Sequence, residues 1–482
     1  MARDEVSCGR CPDLTRRIER LEAELVRARG LTERLTLVEA ENRDLRARAN
    51  LTSRNSSKPP SSDPPSAPPR APSVPSGRKP GGQPGHKGVT REPFPPKDVD
   101  QCVEVRPTKC GACSRALPTS GPTAGVAGRH QVVDIPPITA FVTEYVLHKL
   151  VCFGCGSTTE ADLPDNVPLG VVGVRIQATA AIMTGRYRMS RREATEAMEA
   201  LFGPKARFSS GWLSELEGRT SNALEPAYAE AAEAVRSAAF VNADESPFRE
   251  GRRKAWLWAA VSRGAALFRI DAERSAHAFR RLLGAFKGIL GTDRFASYHR
   301  HSKQRRQICI AHLKRNFQEL VDLGAPASEV GQAGLAAIEG IFKVWNAYET
   351  GEIEFTSVAS KLRPVRSALL GAVTRGTTNG NKRAAGMCKD LEKLFPCIWT
   401  FSRIEGVEPT NNAAERALRP AVLWRKGSFG CHSDRGSRYA ERMLTVVHTL
   451  RLQGRSVIDF VERALRAVLF NESPPRLLLD SG

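Results

Sequence analysis

"AAFVNADESPFREGRRKAWLWAAVSRGAALFRID", residues 238–271, holds three apolar runs separated by charged residues and glycines. The runs "AAFVNADES", "KAWLWAAVS" and "AALFRID" predict three successive strands. A predicted helix over "RSAHAFRRLLGAF" follows, and "GILGTD" and "ICIAHL" then indicate two further short strands. This order predicts a mixed α/β sheet, in a chain whose 482 residues are enough for several domains.

Two aspartates mark the ends of predicted strands. Asp244 closes the first strand, and Asp293 closes the fourth. If these strands are neighbours, both carboxylates meet at one edge of the sheet, where oxygen ligands can hold a hard cation. Taken singly, each aspartate also fits an ordinary strand-end turn.

A third acid stands in "PTNNAAERALRPAVLWRKGSFG", residues 409–430. There Glu415 is surrounded by basic residues, namely Arg416, Arg419, Arg425 and Lys426. The local interpretation is a capping box, with Asn412 as N-cap and Glu415 three residues later. The alternative is that Glu415 completes a carboxylate metal site, while the basic side chains contact phosphates. On a helix, the side turned to the protein interior would carry Ala414, Ala417 and Leu418.

The charge balance favours a polyanionic partner. Lys and Arg total 72 against 52 Asp and Glu, a net charge of +20, which makes nucleic acid the first candidate. No apolar run reaches the roughly 20 residues that span a bilayer, and the N-terminus lacks a signal-peptide core, so we expect a cytoplasmic protein. Eleven cysteines, several in C-x-x-C pairs, favour metal binding in a reducing compartment over disulfides.

The N-terminal region, residues 1–50, is predicted to form a coiled coil. Apolar residues recur there at alternating spacings of three and four, with a phase slip at Gly30: Leu14, Ile18, Leu21, Leu25, Ala28, Leu31, Leu35, Val38 and Leu45. This predicts a homo-oligomer, and the alternative is one amphipathic helix docked on the body of the protein. Cys8-x-x-Cys11 is at most half of a metal site. Residues 51–97, basic and rich in Pro, Ser and Gly, are predicted to be a disordered linker.

Residues 98–165 are predicted to form a zinc-binding domain. Two C-x-x-C pairs are separated by the β-like stretch "HQVVDIPPITAFVTEYVLHKL", which is long enough for a hairpin. The four ligands would be Cys110, Cys113, Cys152 and Cys155, with Cys102, His130 and His148 as weaker candidates. Because four thiolates leave no position for water, the predicted Zn²⁺ is structural.

The segment over residues 166–235 is predicted to be a helical DNA-binding region. "MSRREATEAMEALFGPKARFSSGWLSELEGRT" has the order of a helix-turn-helix, with Ser209 or Ser210 capping the second helix. A helical hairpin that only contributes to a core fits the same pattern.

Across nearly its whole length, the chain carries motifs in one order: the leucine-rich helix, "NSSKPPSSD", "GGQPGHKG", the four-cysteine segment, "DESPF", "GTDRFASY", "CIAHLKRNF" and "NNAAERALRPAVLWRKGSFG". In this it resembles the IS66-family transposases, which are DDE transposases of bacterial insertion sequences. The resemblance implies an RNase H-like catalytic core with Asp244, Asp293 and Glu415 at the acidic positions and two Mg²⁺ ions. Since Glu245 directly follows Asp244, a ligand assignment shifted by one residue also fits. His312, in "CIAHLKRNF", is a candidate accessory residue.

The resemblance also implies how the catalytic core is divided. Residues 236–320 form its first part, 321–404 a helical insertion, 405–450 the second part with Glu415, and 451–482 a C-terminal helical region. The implied partners are the terminal inverted repeats of the element, the target DNA and small accessory proteins from the same element. The implied location is the bacterial cytoplasm, in association with the nucleoid.

Two other functions fit parts of the sequence. One is a catalytically inactive DNA-binding remnant or regulator, and the other is an RNase H-like nuclease that cleaves without joining strands. Within the catalytic reading, Glu441 in "SRYAERMLTVVHT" is the alternative third acid.

Overall fold

The computed structural model of the chain describes residues 11–49, 52, 55, 92–136, 138–428 and 430–479. The strands are β1 (Lys149–Val151), β2 (Thr158–Glu160), β3 (Phe240–Glu250), β4 (Arg253–Val261), β5 (Ala266–Asp271), β6 (Ile289–Thr292) and β7 (Arg306–Ile308). The helices are α1 (Cys11–Ala49), α2 (Val174–Gly185), α3 (Arg191–Phe202), α4 (Ser210–Ala223), α5 (Glu225–Ser237), α6 (Ala276–Leu283), α7 (Ile310–Asp322), α8 (Ala327–Glu349), α9 (Phe355–Lys361), α10 (Arg363–Thr377), α11 (Lys382–Leu394), α12 (Asn412–Ser428), α13 (Asp434–Leu452) and α14 (Val457–Leu469). Cys8 and nearly all of the predicted linker lie outside the described residues.

The central sheet has five strands in the order β5-β4-β3-β6-β7. β3, β4 and β5 pair antiparallel, whereas β6 is parallel to both β3 and β7. The predicted mixed α/β sheet is therefore confirmed. α6 connects β5 to β6 on the other side of β3, and a crossover of this kind is needed because β6 runs parallel to β3.

β3 is longer than the sequence pattern predicts. Asp244 does not close the strand, because antiparallel pairing with β4 continues as far as Glu250 opposite Arg253. The parallel pairing with β6 does end early, at Asn242 opposite Gly291. Asp244 thus lies just beyond the end of the parallel β3–β6 pair, inside a strand that the hairpin with β4 extends.

The predicted strand "ICIAHL" is mostly wrong. β7 ends at Ile308, and α7 begins at Ile310. The Cys309 amide still donates to Thr292 on β6 (2.8 Å), and the next amide, that of Ile310, donates to Pro409 (2.9 Å). The apolar residues that follow recur at helical spacing and are buried, namely Ile310, Leu313, Phe317 and Leu320.

The predicted helical region before the sheet is confirmed as helices α2 to α5. Ser209 caps α4, since its hydroxyl accepts a hydrogen bond from the Trp212 amide (3.1 Å). These helices share a core with α13 and α14, in which Leu213, Leu216 and Phe460 are fully buried. Whether α3 and α4 contact DNA stays a prediction.

Helices α8 to α11 lie within the segment predicted to be a helical insertion. They form a core of their own with α7, into which Phe317, Trp345 and Leu391 are buried. Gly334 lets α8 approach α7, because a Cβ at this position would collide with the Phe317 ring. The insertion therefore packs against α7, the helix that carries His312.

The predicted β-like stretch, residues 130–150, is in a strand only at its end, where Lys149 and Leu150 belong to β1, and its other described residues, which exclude position 137, are not in strands. In the described part of the zinc-binding segment, the only two-stranded sheet is β1 with β2, which flank the second cysteine pair. Two consecutive prolines, at positions 136 and 137, remove two amide donors that a strand ladder would need. The apolar side chains Val132, Phe141 and Val146 are exposed, so burial does not favour a strand there either.

None of the described helices is both long enough and apolar enough to cross a membrane.

The predicted N-terminal helix is confirmed as α1. Its apolar side chains Leu14, Ile18, Leu21 and Leu25 are each more than half exposed. An exposed stripe of this kind favours pairing between chains over docking on the body, and the coiled coil stays a prediction.

We expect removal of residues 1–50 to lower the assembly state in solution and to leave the sheet folded, because every α1 side chain whose burial the structure describes is exposed. Light scattering coupled to size exclusion would measure the mass, and circular dichroism would monitor the fold. An unchanged number of chains per particle would rule out the coiled coil as the oligomerisation element.

Stability is expected to depend on pH through Glu441 of α13. Burial raises the pKa of this carboxyl to about 7 from an ordinary value of 4.5, although the Ile270 amide donates to it. The folded protein therefore binds the proton more tightly than the unfolded chain. Stability from this group is full below about pH 4.5 and is lost as the pH rises through about 7.

We expect Glu441→Gln to increase the free energy of unfolding by about 2 to 3 kcal/mol at pH 8 and to change it little at pH 4. Urea denaturation at both pH values would measure this. Glu225→Gln, on an exposed side chain of α5, is the control. An equal change in the free energy of unfolding at the two pH values would contradict the proposal that ionisation of Glu441 destabilises the fold.

Candidate active site: a carboxylate cluster at the end of the parallel strands

Asp244 and Asp293 lie at the same end of the parallel β3–β6 pair. Asp293 directly follows β6, and Asp244 follows the last β3 residue that pairs with β6. One oxygen of each carboxylate accepts a backbone amide, from Glu245 to Asp244 (2.9 Å) and from Phe295 to Asp293 (2.8 Å). In the described part of the chain, the second oxygen of each has no hydrogen-bond donor and can bind a cation.

Helix α12 brings Glu415 to the two aspartates. Ala414, Ala417 and Leu418 are buried, as the sequence predicts, and Ala417 and Leu418 share a core with residues of β3 and β4. The pKa of Asp244 is raised well above its ordinary value, first by burial and then by the negative charges of Glu245, Asp293 and Glu415. The three predicted acids are thus near enough to interact electrostatically, although among the described residues their carboxylate oxygens do not form a group of three within 4.8 Å of one another.

The capping-box interpretation of Glu415 is wrong in its register. The Ala414 and Glu415 amides both donate to the carbonyl of Asn411, so Asn411, rather than Asn412, precedes the first turn. Glu415 is consequently one residue too far along for the reciprocal bond of a capping box. Its carboxylate turns to α7 instead, where Oε1 lies 3.4 Å from Nδ1 of His312 and 3.4 Å from the Arg315 guanidinium.

His312 is buried beside Glu415, as proposed for an accessory residue. Burial and the positive charge of Arg315 lower the pKa of His312 to about 3. The imidazole is therefore neutral at physiological pH and does not offset the charge of Glu415. Arg315 and Cys309 are site residues that were not predicted from the sequence, although Cys309-x-x-His312 has the spacing of a pair of metal ligands.

Glu245, the alternative ligand on β3, already has partners for both oxygens. Arg274 donates to Oε1 from Nε (2.9 Å) and from its terminal nitrogen (2.7 Å), and the Tyr298 hydroxyl donates to Oε2. Burial raises the pKa of Glu245, with a further contribution from Asp293. Glu245 therefore ties β3 to the turn that follows Asp293, and Asp244 is the freer of the two acids.

The four basic residues of α12 differ in their surroundings. Arg416, Arg419 and Lys426 are exposed, and no described carboxylate lies within ion-pair distance of them. Arg425 is partly buried and donates to the carbonyl of Pro247 on β3, and burial lowers its pKa. Three of the four are therefore available to a polyanion, while Arg425 holds α12 on the sheet.

The four predicted zinc ligands lie in two similar turns. Ser114 donates its amide to the Cys110 carbonyl (2.9 Å), as Gly156 does to Cys152 (2.9 Å). Backbone amides of Cys113 and Ala112 lower the pKa of the Cys110 thiol, and hydrogen bonds from Ser157 lower that of Cys155. Among the described residues, however, no three of these four sulfurs lie within 4.8 Å of one another. The structure thus forms both turns without a closed group of three sulfurs.

The region that is similar to a known protein family contains both the five-stranded sheet and the three acids. A family model described as "Transposase IS66 family" matches residues 179–439, more than half of the chain. The chain belongs to the IS66 transposase family. The match runs from α2 into α13 and includes Asp244, Asp293 and Glu415. The matching family is described as one of transposases.

Other similarities of this IS66-family chain extend beyond the matched region. A family of unknown function (DUF6444) matches residues 11–92, which include α1. Two uncharacterized proteins of Sinorhizobium fredii (strain NBRC 101917 / NGR234) are similar to the chain. y4qI is 25% identical over 241 residues, 45% of this chain and 44% of its own length. y4hP is 23% identical over 415 residues, 76% of this chain and 72% of its own. The aligned part thus spans less than half of y4qI.

Proposed function

We propose that this protein is a DDE-type DNA transposase, which cleaves the ends of its insertion sequence and joins them to target DNA. The observation that carries the proposal is the convergence of Asp244, Asp293 and Glu415, from three separate elements, at one end of two parallel strands. The strand order β5-β4-β3-β6-β7, with three antiparallel strands and two parallel additions, supports an RNase H-like core for the 236–320 and 405–450 segments.

The acids fit Mg²⁺ by charge and by chemistry. Asp244 is close to three other carboxylates, and no described cationic side chain makes an ion pair with Asp244 or Asp293. So much negative charge at a partly buried site is costly unless a cation offsets it. All three side chains offer carboxylate oxygens, the ligands that Mg²⁺ prefers. When bound, Mg²⁺ ions would supply positive charge to the reacting phosphate and lower the pKa of the attacking water.

Residues around the acids would position them. Glu245, held by Arg274 and Tyr298, fixes β3 against the turn after β6, and so fixes Asp244 relative to Asp293. Arg306 contributes from β7, since its buried guanidinium donates to the Asp293 carbonyl (2.9 Å). Geometry held in this way reduces the reorganisation that would otherwise be needed when DNA binds.

Exposed basic side chains would hold the DNA. Arg416, Arg419 and Lys426 project from the helix that carries Glu415, so a phosphate bound to Arg416 or Arg419 would lie near the acids, and one bound to Lys426 would lie about 16 Å farther along the helix. We infer that the helices α3 and α4 and the cysteine-rich segment contribute further contacts to the terminal inverted repeats. The net charge of +20 supports a binding affinity that falls steeply with salt. Such a protein would act on nucleoid DNA in the bacterial cytoplasm, as an oligomer formed through α1, and small accessory proteins of the element could join it.

The test is strand joining by the full-length protein on DNA that carries paired element ends, in the presence of Mg²⁺. We expect cleavage at the element ends followed by joining to target DNA. Cleavage without joining would support the nuclease instead, and sequence-specific binding without cleavage would support the inactive remnant or regulator.

A further inference from the structure

Cys309, His312 and Glu415 form a compact group of three metal-ligating side chains. Their ligand atoms, one from each residue, all lie within 4.8 Å of one another. Cys309 is completely buried, His312 is 8% exposed, and the Glu415 side chain is 35% exposed. The group thus opens to solvent on the Glu415 side, where an ion could enter.

Backbone contacts hold the group together before any ion binds. Cys309 and His312 are three residues apart across the start of α7, so both face the same side. The segment before α12 is joined to them, since the Ile310 amide donates to Pro409 (2.9 Å) and the Asn411 amide donates to Sγ of Cys309 (3.4 Å). Glu415 is placed next to the pair because α12 starts at this junction.

The ring of His312 carries an unpaired nitrogen within the group. Nδ1 is buried and makes no hydrogen bond of good geometry with a described residue, although the Asn411 side chain lies near the ring. The carboxylate of Glu415, at 3.4 Å, is close to it but beyond the usual length of a good hydrogen bond. A buried polar atom without a partner is costly, so a ligand for Nδ1 would relieve a real defect of this site.

We propose that this group binds a zinc ion through Sγ of Cys309, Nδ1 of His312 and the Glu415 carboxylate. One sulfur, one imidazole nitrogen and one carboxylate oxygen form a donor set suited to Zn²⁺, whereas Mg²⁺ prefers oxygen ligands alone. Three protein ligands leave the fourth tetrahedral position to water. The thiol proton is released to solvent on binding, because only the thiolate is a ligand.

The proposed site shares Glu415 with the acids that would bind Mg²⁺. A zinc ion here would therefore withdraw Glu415 from Asp244 and Asp293 and inhibit DNA cleavage. This last step rests on the proposed function, whereas the binding of the ion does not.

Cobalt absorption tests the binding independently of activity. Co²⁺ would be titrated into full-length protein whose Cys110, Cys113, Cys152 and Cys155 are replaced by serine, so that these thiols do not contribute. We expect a thiolate-to-cobalt charge-transfer band that Cys309→Ser abolishes. Cys388→Ser, at another fully buried cysteine within the helical insertion, is the matched control and should retain the band.

His312→Ala tests metal binding without changing Cys309, so its effect distinguishes the loss of a metal ligand from structural damage caused by replacing a buried cysteine. We expect it to weaken Co²⁺ binding by about tenfold or more, since even the loss of an outer-shell partner commonly costs 10–100-fold in metal affinity. Circular dichroism would verify that each variant is folded. A band of equal strength in the folded Cys309→Ser and Cys388→Ser proteins, or no band in the parent protein, would overturn the site.

Inhibition is tested with Zn²⁺ added to the Mg²⁺-dependent cleavage reaction, with each variant normalised to its own rate without zinc. We expect half-inhibition of Cys309→Ser to need at least about tenfold more Zn²⁺ than that of Cys388→Ser. Equal sensitivity of the two would overturn the inhibition. If the protein cleaved no DNA at all, the proposed function would fail while the cobalt result still decided the site.

Discussion

Glu415→Gln is expected to reduce Mg²⁺-dependent cleavage and strand transfer about 10³-fold or more, equivalent to about 4 kcal/mol in the activation barrier. Glutamine keeps the shape of the side chain on α12 and removes the charge that a hard cation needs. Folding and DNA binding should persist, because the buried face of α12 is formed by Ala414, Ala417 and Leu418. Gel-based cleavage and joining assays would measure the rates, and fluorescence anisotropy would measure DNA binding.

Asp244→Asn and Asp293→Asn should have similar effects, and combining them with Glu415→Gln should add little, because residues that act as one unit are not additive. Glu441→Gln is the matched control. Glu441 accepts the Ile270 amide on β5, which is separated from β3 by β4, so its loss should leave cleavage intact. Near wild-type cleavage by Glu415→Gln together with a loss in Glu441→Gln would transfer the role of third acid to Glu441.

Protein purified without added metal is expected to contain one zinc per chain, and replacing Cys110 and Cys152 by serine should remove it. The two turns resemble each other and lower the pKa of one thiol in each, which suits thiolate ligands. Binding would have to bring the sulfurs closer to one another, since no three of the four lie within 4.8 Å of one another in the described structure. Residues 98–165 should then become more sensitive to protease, because the folding energy of a small metal domain comes from the ion.

Elemental analysis after gel filtration would give the zinc content, and limited proteolysis would report on the segment. The control is Cys397→Ser, at a buried cysteine of the insertion core, which should retain the zinc. Full zinc content in the Cys110→Ser, Cys152→Ser protein would show that these cysteines are not the ligands. The weaker site proposed at Cys309 would not compensate, because it has three protein ligands and shares one of them with the acids.

The sequence by itself determined the features that depend on local periodicity. Apolar runs predicted β3, β4 and β5, the helical spacing in α12 predicted its buried face, and the serine pair Ser209–Ser210 predicted the start of α4. These features need only neighbours along the chain, because they follow from the repeat of a strand or helix and from one side chain reaching a nearby amide. The motif order likewise sufficed to predict the family.

Only the tertiary structure decided how the pieces of the site meet. Pairing with β4 extends β3 past Asp244. The change from β7 to α7 occurs at Cys309, where the Cys309 amide donates to Thr292 and the Ile310 amide donates to Pro409. The same junction sets the first turn of α12 and turns Glu415 towards His312, 103 residues earlier in the chain. Periodicity along a sequence does not determine such distances, because they are fixed by hydrogen bonds and burial between segments that lie far apart in the chain.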